Sequence, residues 1–412
     1  MKSTKPMFYP LPQFRKNYIE LWFPIEVLEE EVAAKALLPA LLMKTNKKYP
    51  KEELFSKECL KRYIYSISCG YCSYGKKEFL CFTMMLPASE LIADLDLKSC
   101  LDFFLTTIYE PNIENKSFYL DHFNREQSNL KMRLENASKN RNQYTAKQVI
   151  AHIDTDGFLC KNVNYHPELV DTVTSEQVYQ FYQKNITKKA PFVFLFGHDS
   201  LKQMIPYFES YFESFEPVSV TPEYNAILKL QQAEKEITES KPYEQSSLAM
   251  VYKIPDLKEE ERLKLFTISN ILSSSYSNLL LEEIRDKEGL VYGCGTINYS
   301  HFGFLIISLE LHRNSKEKAI QKVKEIIDSI TNPIFIKERL ERVKIGRKTN
   351  LLRKQDHLSN IVDDIMEEFL QIEDTMEQAY ERISTFTAEE IATFAKRLVL
   401  DFTYCLEGTQ DE

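Results

Sequence analysis

Two segments of the chain carry the same succession of hydrophobic and polar patterns, about 230 residues apart. The first predicts a strand, a Glu-rich turn, an apolar helix, a second helix and a hairpin: Tyr18–Phe23, Glu29–Glu31, Ala33–Met43, a helix ending near Arg62, Tyr63–Tyr74 and Phe79–Pro87. The second predicts the same order: Leu248–Ile254, Glu259–Glu261, Leu263–Ser273, Asn278–Lys287, Leu290–Tyr299 and Gly303–Leu311. The matched order indicates one structural unit that occurs twice.

Each copy continues with helical patterns and closes with a helix followed by a strand. The predicted elements are Ser117–His152, Thr174–Lys184 and Phe192–Phe196 in the first copy, and Asn332–Gln371, Thr387–Leu398 and Phe402–Tyr404 in the second. Between the copies, 231–247 is almost wholly polar and contains Pro242, which predicts a linker. We therefore predict an α+β fold with two domains, 1–230 and 248–412, each an antiparallel-rich β-sheet with helices packed on one face.

Composition excludes several classes of function. The 412 residues are 43% hydrophobic but include only 10 glycines, and neither G-x-x-x-x-G-K-[ST] nor G-x-G-x-x-G occurs. Nucleotide binding through those glycine-rich loops is therefore excluded. The formal charge is −9, and no dense basic stripe is present, so nucleic acid is a poor candidate partner.

The segment Met1–Lys16 has no apolar core of the kind found in signal peptides. The longest apolar runs, such as Phe192–Phe196, have the length of a strand rather than of a membrane span. We therefore expect a cytoplasmic protein with no membrane partner. In a reducing compartment the eight cysteines are expected to be buried thiols: Cys59, Cys69, Cys72, Cys81, Cys100, Cys160, Cys294 and Cys405.

Two short motifs could carry chemistry. Cys69 and Cys72 form a C-x-x-C that could be a redox dithiol or half of a zinc site, but the strand-like surroundings favour thiols in a sheet. His152, Asp154 and Asp156 could ligate a cation, but no bidentate glutamate follows at the required spacing, which favours a surface turn. The sequence contains no G-x-S-x-G motif, so there is no indication of a serine nucleophile.

The string 277–292, SNLLLEEIRDKEGLVY, resembles the C-terminal-half signature of the insulinase-like metallopeptidases, which include pitrilysin and the mitochondrial processing peptidase. That signature is a leucine-rich helix ending in Arg, an acidic/basic pair, Gly-Leu and Tyr. The hairpin at 293–308 is also similar to the family. The resemblance follows the order of elements along the whole chain and is greatest to the bacterial half-length members. It implies a half-clamshell of two homologous domains.

The resemblance implies an inverted zinc motif, H-x-x-E-H, on the first long helix. The corresponding stretch Lys35–Met43 contains neither His nor Glu, and 263–275 in the second copy is equally without ligands. The seven histidines never lie three or four positions apart: His122, His152, His166, His198, His301, His312 and His357. We therefore expect no metal ligands and no cofactor in this chain, and no peptidase activity from the chain alone.

Arg285 and Tyr292 occupy positions that in the family face a zinc site from the C-terminal half. The resemblance implies that they bind substrate: arginine donates to peptide carbonyls, and a tyrosine hydroxyl donates to the developing oxyanion. Without the resemblance, both could be ordinary residues, a cation at a helix C-terminus and a half-buried strand tyrosine. We expect a non-catalytic, substrate-binding subunit of a heterodimeric peptidase, for example one that removes leader peptides, whose partner holds the zinc. The alternatives are a structural scaffold with no role in proteolysis and a peptide-binding homodimer.

Overall fold

The computed structural model describes residues 2–3, 5–74, 76–154, 157–221, 236–312, 314–370 and 374–409. The chain divides into two compact units. The first unit consists of Met1–Asn136 and Lys161–Glu223, and the second consists of Ala137–Cys160 and Tyr224–Glu412. The segment Ala137–Cys160, which the sequence analysis places in the first domain, thus belongs to the unit that holds the second sheet. None of the helices among the described residues has both the length and the apolar character needed to cross a membrane.

In the part of the chain that the structure describes, the strands form two five-stranded sheets and two short pairs. Their bounds are β1 (Met7–Pro10), β2 (Lys16–Ile25), β3 (Ser66–Tyr74), β4 (Lys77–Pro87), β5 (Ile113–Glu114), β6 (Ser117–Phe118), β7 (Lys189–Ala190), β8 (Phe192–Gly197), β9 (Glu216–Pro217), β10 (Glu236–Lys241), β11 (Ser246–Lys253), β12 (Val291–Tyr299), β13 (Phe304–Leu311) and β14 (Val399–Gly408). The predicted strands of both copies are all present, within a few residues of their expected bounds.

The two five-stranded sheets have the same topology. The order is β1-β8-β2-β4-β3 in the first unit and β10-β14-β11-β13-β12 in the second. In each sheet the first strand pairs in parallel with the last one, and the remaining pairs are antiparallel. The predicted α+β fold of two sheet-containing units is confirmed, and the shared order extends the repeat to β1 and β10.

Part of the predicted linker is a strand. Residues 231–235 lie outside the described residues, but Glu236–Lys241 forms β10 at the edge of the second sheet, in parallel register with β14. Its residues alternate between exposed and half-buried positions. A polar sequence suits this place because an edge strand with charged side chains resists pairing with other chains. The polar composition therefore reflects an edge position rather than a linker.

The helices cover more of the chain than the hydrophobic pattern predicts. Their bounds are α1 (Val32–Leu42), α2 (Glu52–Lys61), α3 (Leu97–Tyr109), α4 (Leu120–Lys139), α5 (Arg141–Ile153), α6 (Leu169–Thr172), α7 (Ser175–Asn185), α8 (Asp199–Lys202), α9 (Ile205–Phe212), α10 (Arg262–Leu272), α11 (Lys316–Ser329), α12 (Pro333–Lys354), α13 (Leu358–Leu370), α14 (Met376–Thr385) and α15 (Ala388–Ala395). Both glutamate triplets, 29–31 and 259–261, form short 3-10 turns.

The first predicted long helix is two helices. Asn140 separates α4 from α5, and its side-chain oxygen accepts a hydrogen bond from the backbone N–H of Gln143 at 3.0 Å. Asparagine is a favoured N-cap because this bond satisfies an N–H that the helix leaves free. The second predicted long stretch is likewise divided into α12 and α13, and its last residue, Gln371, lies outside the described residues.

The core of the second unit lies on one face of its sheet. Leu248, Met250 and Tyr252 of β11 alternate toward this core, together with residues of α10, α11, α12 and α15. On the opposite face, the His152 ring of α5 stacks on Phe402 of β14, with ring centroids 5.7 Å apart. The helix α5 therefore covers the second face of this sheet, which explains why it belongs to the second unit.

Candidate functional site

Helix α1, where the resemblance places a zinc motif, is a helix of the hydrophobic core. Eight of its 11 residues are buried, and none of the 11 is a histidine, cysteine or carboxylate. Its one charged side chain, Lys35, forms a salt bridge with Glu78 of β4, and the Tyr71 hydroxyl donates a hydrogen bond to the Lys35 carbonyl oxygen at 2.8 Å. These donors do not fit a zinc ion.

The equivalent helix of the second unit, α10, also offers no ligands for a metal. At its start, Nη1 of Arg262 donates a hydrogen bond to Nδ1 of His301 at 2.8 Å. Burial, reinforced by this guanidinium, lowers the pKa of His301 to about 4. His301 is therefore neutral at physiological pH and accepts the bond.

Arg285 lies in irregular helix. The segment Leu281–Lys287 is a π-helical turn, a backbone form that occurs frequently at functional sites. The side chain of Arg285 is 45% exposed, and its Nε donates to Oδ1 of Asp286 at 2.9 Å. A salt bridge between two exposed neighbours contributes little free energy. The guanidinium can therefore leave it to bind another group, and it has four further N–H donors.

Tyr292 lies on the edge strand β12. Val291 pairs with Leu311 and Gly293 with Glu310, so Tyr292 is the extra residue of a β-bulge. Its side chain is 41% exposed, and the ring contacts the imidazole of His312 with ring centroids 3.7 Å apart. Bulges re-aim side chains and are frequent next to functional sites, so the bulge gives this tyrosine a direction different from its strand neighbours.

A glycine connects the elements that carry Arg285 and Tyr292. Gly289 has a φ of +62°, and its N–H donates to the Arg285 carbonyl at 3.0 Å. A left-handed glycine ends the helix and lets the chain turn at once into β12. Burial raises the pKa of the Cys294 thiol on β12 to about 11, and the Arg285 guanidinium acts against this rise. The arginine is therefore close enough to β12 to influence its side chains electrostatically.

The C-x-x-C motif is not a shared binding site. Cys69 and Cys72 are three positions apart on β3, which directs their side chains to opposite faces of the sheet. Burial raises the pKa of the Cys69 thiol well above its usual value, and Sγ of Cys72 lies 2.6 Å from Sγ of Cys81 on β4. The eight cysteines are free thiols, as expected: Cys100 and Cys405 are fully buried, and the other six are partly buried.

The His152 motif forms a turn rather than a cation site. Nδ1 of His152 lies 2.7 Å from the Gln148 carbonyl oxygen within α5. The Asp154 carboxylate accepts backbone hydrogen bonds from Phe158 at 3.2 Å and from Cys160 at 2.8 Å. Asp156 lies outside the described residues. The side chains of His152 and Asp154 thus contact nearby backbone groups, as in the predicted surface turn.

A search for histidine pairs at helical spacing misses one cluster. His122 and Glu126 lie on one face of α4, and Glu52 begins α2, with one ligand atom of each residue within 4.8 Å of the others. The i, i+4 spacing of His122 and Glu126 is visible in the sequence. The participation of Glu52 is not, because it lies far away along the chain.

The chain is similar to known proteins over almost its whole length. Residues 172–346, a range that includes Arg285 and Tyr292, match the family described as the peptidase M16 inactive domain. A "probable inactive metalloprotease YmfF" of Bacillus subtilis is 22% identical over 387 residues, which are 93% of this chain and 90% of the relative.

Two solved structures share the fold. A conserved protein from Enterococcus faecalis superimposes with a TM-score of 0.85 at 20% identity, covering 98% of this chain and 96% of that chain. The peptidase M16 inactive domain from Pseudomonas fluorescens gives a TM-score of 0.72 at 14% identity, with coverage of 98% and 96%. At these identities the superpositions establish the arrangement of the elements.

Proposed function

Because the chain is a half-length member of the M16 (insulinase-like) metallopeptidase family without the zinc motif, we propose that it is the non-catalytic, substrate-binding subunit of a heterodimeric zinc peptidase. In this proposal Arg285 and Tyr292 face the zinc site of the partner subunit. The heterodimer cleaves peptides, for example to remove a leader peptide. The catalytic zinc belongs to the partner, which carries H-x-x-E-H.

The contrast between α1 and the 285–292 segment is the observation that carries the proposal. The side chain of Lys35 is 9% exposed and paired, and α1 carries no histidine, cysteine or carboxylate that could ligate a metal. Arg285 and Tyr292 are each more than two-fifths exposed and lie on adjacent irregular elements. A chain that had lost every role in the reaction would have no need to keep both groups exposed together.

The chemistry of the two groups suits peptide hydrolysis. The guanidinium of Arg285 presents several donors in a rigid plane, which matches the carbonyl oxygens of an extended peptide. The hydroxyl of Tyr292 can donate to the oxygen that gains negative charge when water attacks a peptide carbonyl. Such a donor accelerates the reaction because its bond is stronger in the transition state than in the ground state.

The remaining properties fit a peptide-processing subunit that works in the cytoplasm. The formal charge of −9 disfavours a nucleic-acid partner and favours basic peptides through long-range attraction. The partner is expected to be a chain of similar length that brings its own H-x-x-E-H, since one half-length chain supplies only one part of the binding chamber.

Reconstitution tests the proposal. The chain and a zinc-bearing relative from the same organism are purified separately and mixed, and cleavage of a fluorescence-quenched peptide library is measured. We expect no cleavage by this chain alone, little by the relative alone, and a large gain on mixing. Full activity of the relative alone would leave this chain as a structural scaffold, and cleavage by the purified chain would contradict the assignment as non-catalytic.

A further inference from the structure

Three potential metal ligands converge at the start of α2 and on the first turns of α4. They are Glu52, His122 and Glu126, and one ligand atom of each lies within 4.8 Å of the other two. Nε2 of His122 lies 3.8 Å from Oε1 of Glu126. His122 and Glu126 are four positions apart, which places both on the same face of α4.

The imidazole of His122 is the decisive feature. The residue is only 8% exposed, and among the described residues no group hydrogen-bonds its buried Nε2. A buried polar atom without a partner costs about 1–3 kcal/mol, and native proteins keep few of them. The nitrogen lies 3.8 Å from Oε1 of Glu126, which is too far for a hydrogen bond, and a carboxylate oxygen of Glu52 lies within 4.8 Å of both other ligand atoms.

The two carboxylates are compensated by side chains that reach solvent. Nζ of Lys44 lies 3.0 Å from Oε1 of Glu126, and Arg125 contacts both Glu52 and Glu126. The side chains of Lys44 and Arg125 are 45% and 51% exposed, so both can turn into water when a bound cation takes over the compensation of the carboxylates. Glu126 is 6% exposed and has no such freedom. Glu52 is 43% exposed at the first turn of α2, so its carboxylate can close the remaining distance.

We propose that Glu52, His122 and Glu126 bind one divalent transition-metal ion, and that Zn²⁺ is the ion that this donor set fits. One imidazole and two carboxylates are common zinc ligands, each at about 2.0–2.2 Å, and three protein ligands leave a position for water. Ca²⁺ fits poorly because it takes six to eight oxygen ligands. The ion would tie the start of α2 to α4.

This site is separate from helix α1 and independent of the proposed function. It departs from the sequence-based expectation that the chain contains no metal ligands, and it gives Nε2 of His122 a partner that the described residues do not supply. The proposal assigns the ion a structural role within the first unit, and the catalytic zinc of the heterodimer remains with the partner.

Metal binding by the purified full-length chain tests the site. After treatment with a chelator, the chain is dialysed against ZnCl₂ and bound zinc is counted by mass spectrometry. We expect one ion more in the wild type than in His122→Gln, Glu126→Gln or Glu52→Gln, because each substitution removes one of the three ligands. Cobalt(II) replaces zinc in a second titration, in which ligation by nitrogen and oxygen gives no thiolate charge-transfer band.

His166→Gln is the matched control. Nδ1 of His166 also lies near two glutamates, at 3.6 Å from Glu29 and 3.7 Å from Glu168, but both glutamates are at least two-thirds exposed. We expect this variant to bind zinc like the wild type. Because Glu52 is exposed, Glu52→Gln keeps the test valid if a substitution at His122 prevents folding. Equal zinc content in Glu52→Gln, Glu126→Gln and the wild type, or a thiolate band with cobalt, would overturn the proposal.

Discussion

The ammonium group of Lys35 on α1 forms a salt bridge with the carboxylate of Glu78 on β4, and the lysine side chain is only 9% exposed. Nζ of Lys35 also lies 5.0 Å from the centroid of the Tyr71 ring, so a cation–π contact stabilises the ammonium in addition to the salt bridge. In catalytic relatives this stretch of helix would carry the H-x-x-E-H motif. Here the one charged side chain of α1 is paired with groups of the neighbouring strands, which makes the helix a structural element.

Removing the lysine should destabilise the first unit. Lys35→Met leaves Glu78, whose side chain is 23% exposed, without its partner, and a partly buried polar group without a partner costs about 1–3 kcal/mol. Lys35→Met combined with Glu78→Gln should recover much of this loss, because no unpaired charge then remains. Urea denaturation of both variants measures the difference in the free energy of unfolding. Equal stability of Lys35→Met and the wild type would show that the pair contributes nothing.

Gly346 should not tolerate a side chain. It lies within α12, and a Cβ at this position would overlap the ring of Tyr276. We expect Gly346→Ala to lower the free energy of unfolding by about 1–3 kcal/mol, although alanine normally favours a helix. Gly70→Ala is the control, since a Cβ there meets nothing within 4 Å. Thermal denaturation of both variants measures the effect. A Gly346→Ala variant more stable than the wild type would refute the close packing of Tyr276 on Gly346.

The second unit should lose stability in mild acid through His301. Burial and the Arg262 guanidinium lower the pKa of His301 from 6.5 to about 4 in the folded state. The unfolded chain therefore binds the proton first, and stability present above pH 6.5 declines as the pH falls toward 4. The wild type should lose about 3 kcal/mol more than His301→Gln over this range. Parallel slopes for the two proteins in chemical denaturation would contradict the lowered pKa.

Arg285 should act on substrate affinity in the reconstituted heterodimer. Arg285→Ala removes donors for peptide carbonyls, and we expect KM to rise about ten-fold while the fold is unchanged, since the side chain is 45% exposed. Arg342→Ala is the control, because Arg342 is similarly exposed, at 48%, and its guanidinium forms a salt bridge with its helix neighbour Glu338 at 2.7 Å. Steady-state cleavage of a peptide substrate measures both variants. Identical effects at the two positions would show that Arg285 has no special role.

The strands that alternate hydrophobic and polar residues could be predicted from the sequence, and so could the twofold repeat. The strand β10 could not, because Glu236–Lys241 is polar and gains its place only by pairing with β14. Helices α3 and α11 were also missed, although the buried residues of α11 (Ala319, Val323, Ile326 and Ile327) follow the three- and four-residue spacing of an amphipathic helix, so that their pattern was present in the sequence. The polar strand β10 is the element that no local pattern could predict.

The candidate site divides in the same way. The Arg285–Tyr292 string is local, so the sequence shows it, but the π-helical turn and the bulge at Tyr292 appear only in the structure. The Glu52, His122 and Glu126 cluster joins two helices that are far apart in sequence, and packing alone brings its ligand atoms within 4.8 Å. Long-range convergence of this kind leaves no periodic signal in the chain.

The most direct test of the account is the turnover of the reconstituted heterodimer with Tyr292→Phe, which removes one hydroxyl and keeps the ring. An oxyanion donor acts in the transition state, so we predict that kcat falls about 100-fold with KM nearly unchanged. Tyr65→Phe is the matched control, since Tyr65 is 60% exposed on the other sheet-containing unit and should have no effect. A kcat for Tyr292→Phe within about two-fold of the wild type would contradict the claim that the Tyr292 hydroxyl of this substrate-binding subunit donates to the oxyanion at the partner's zinc site.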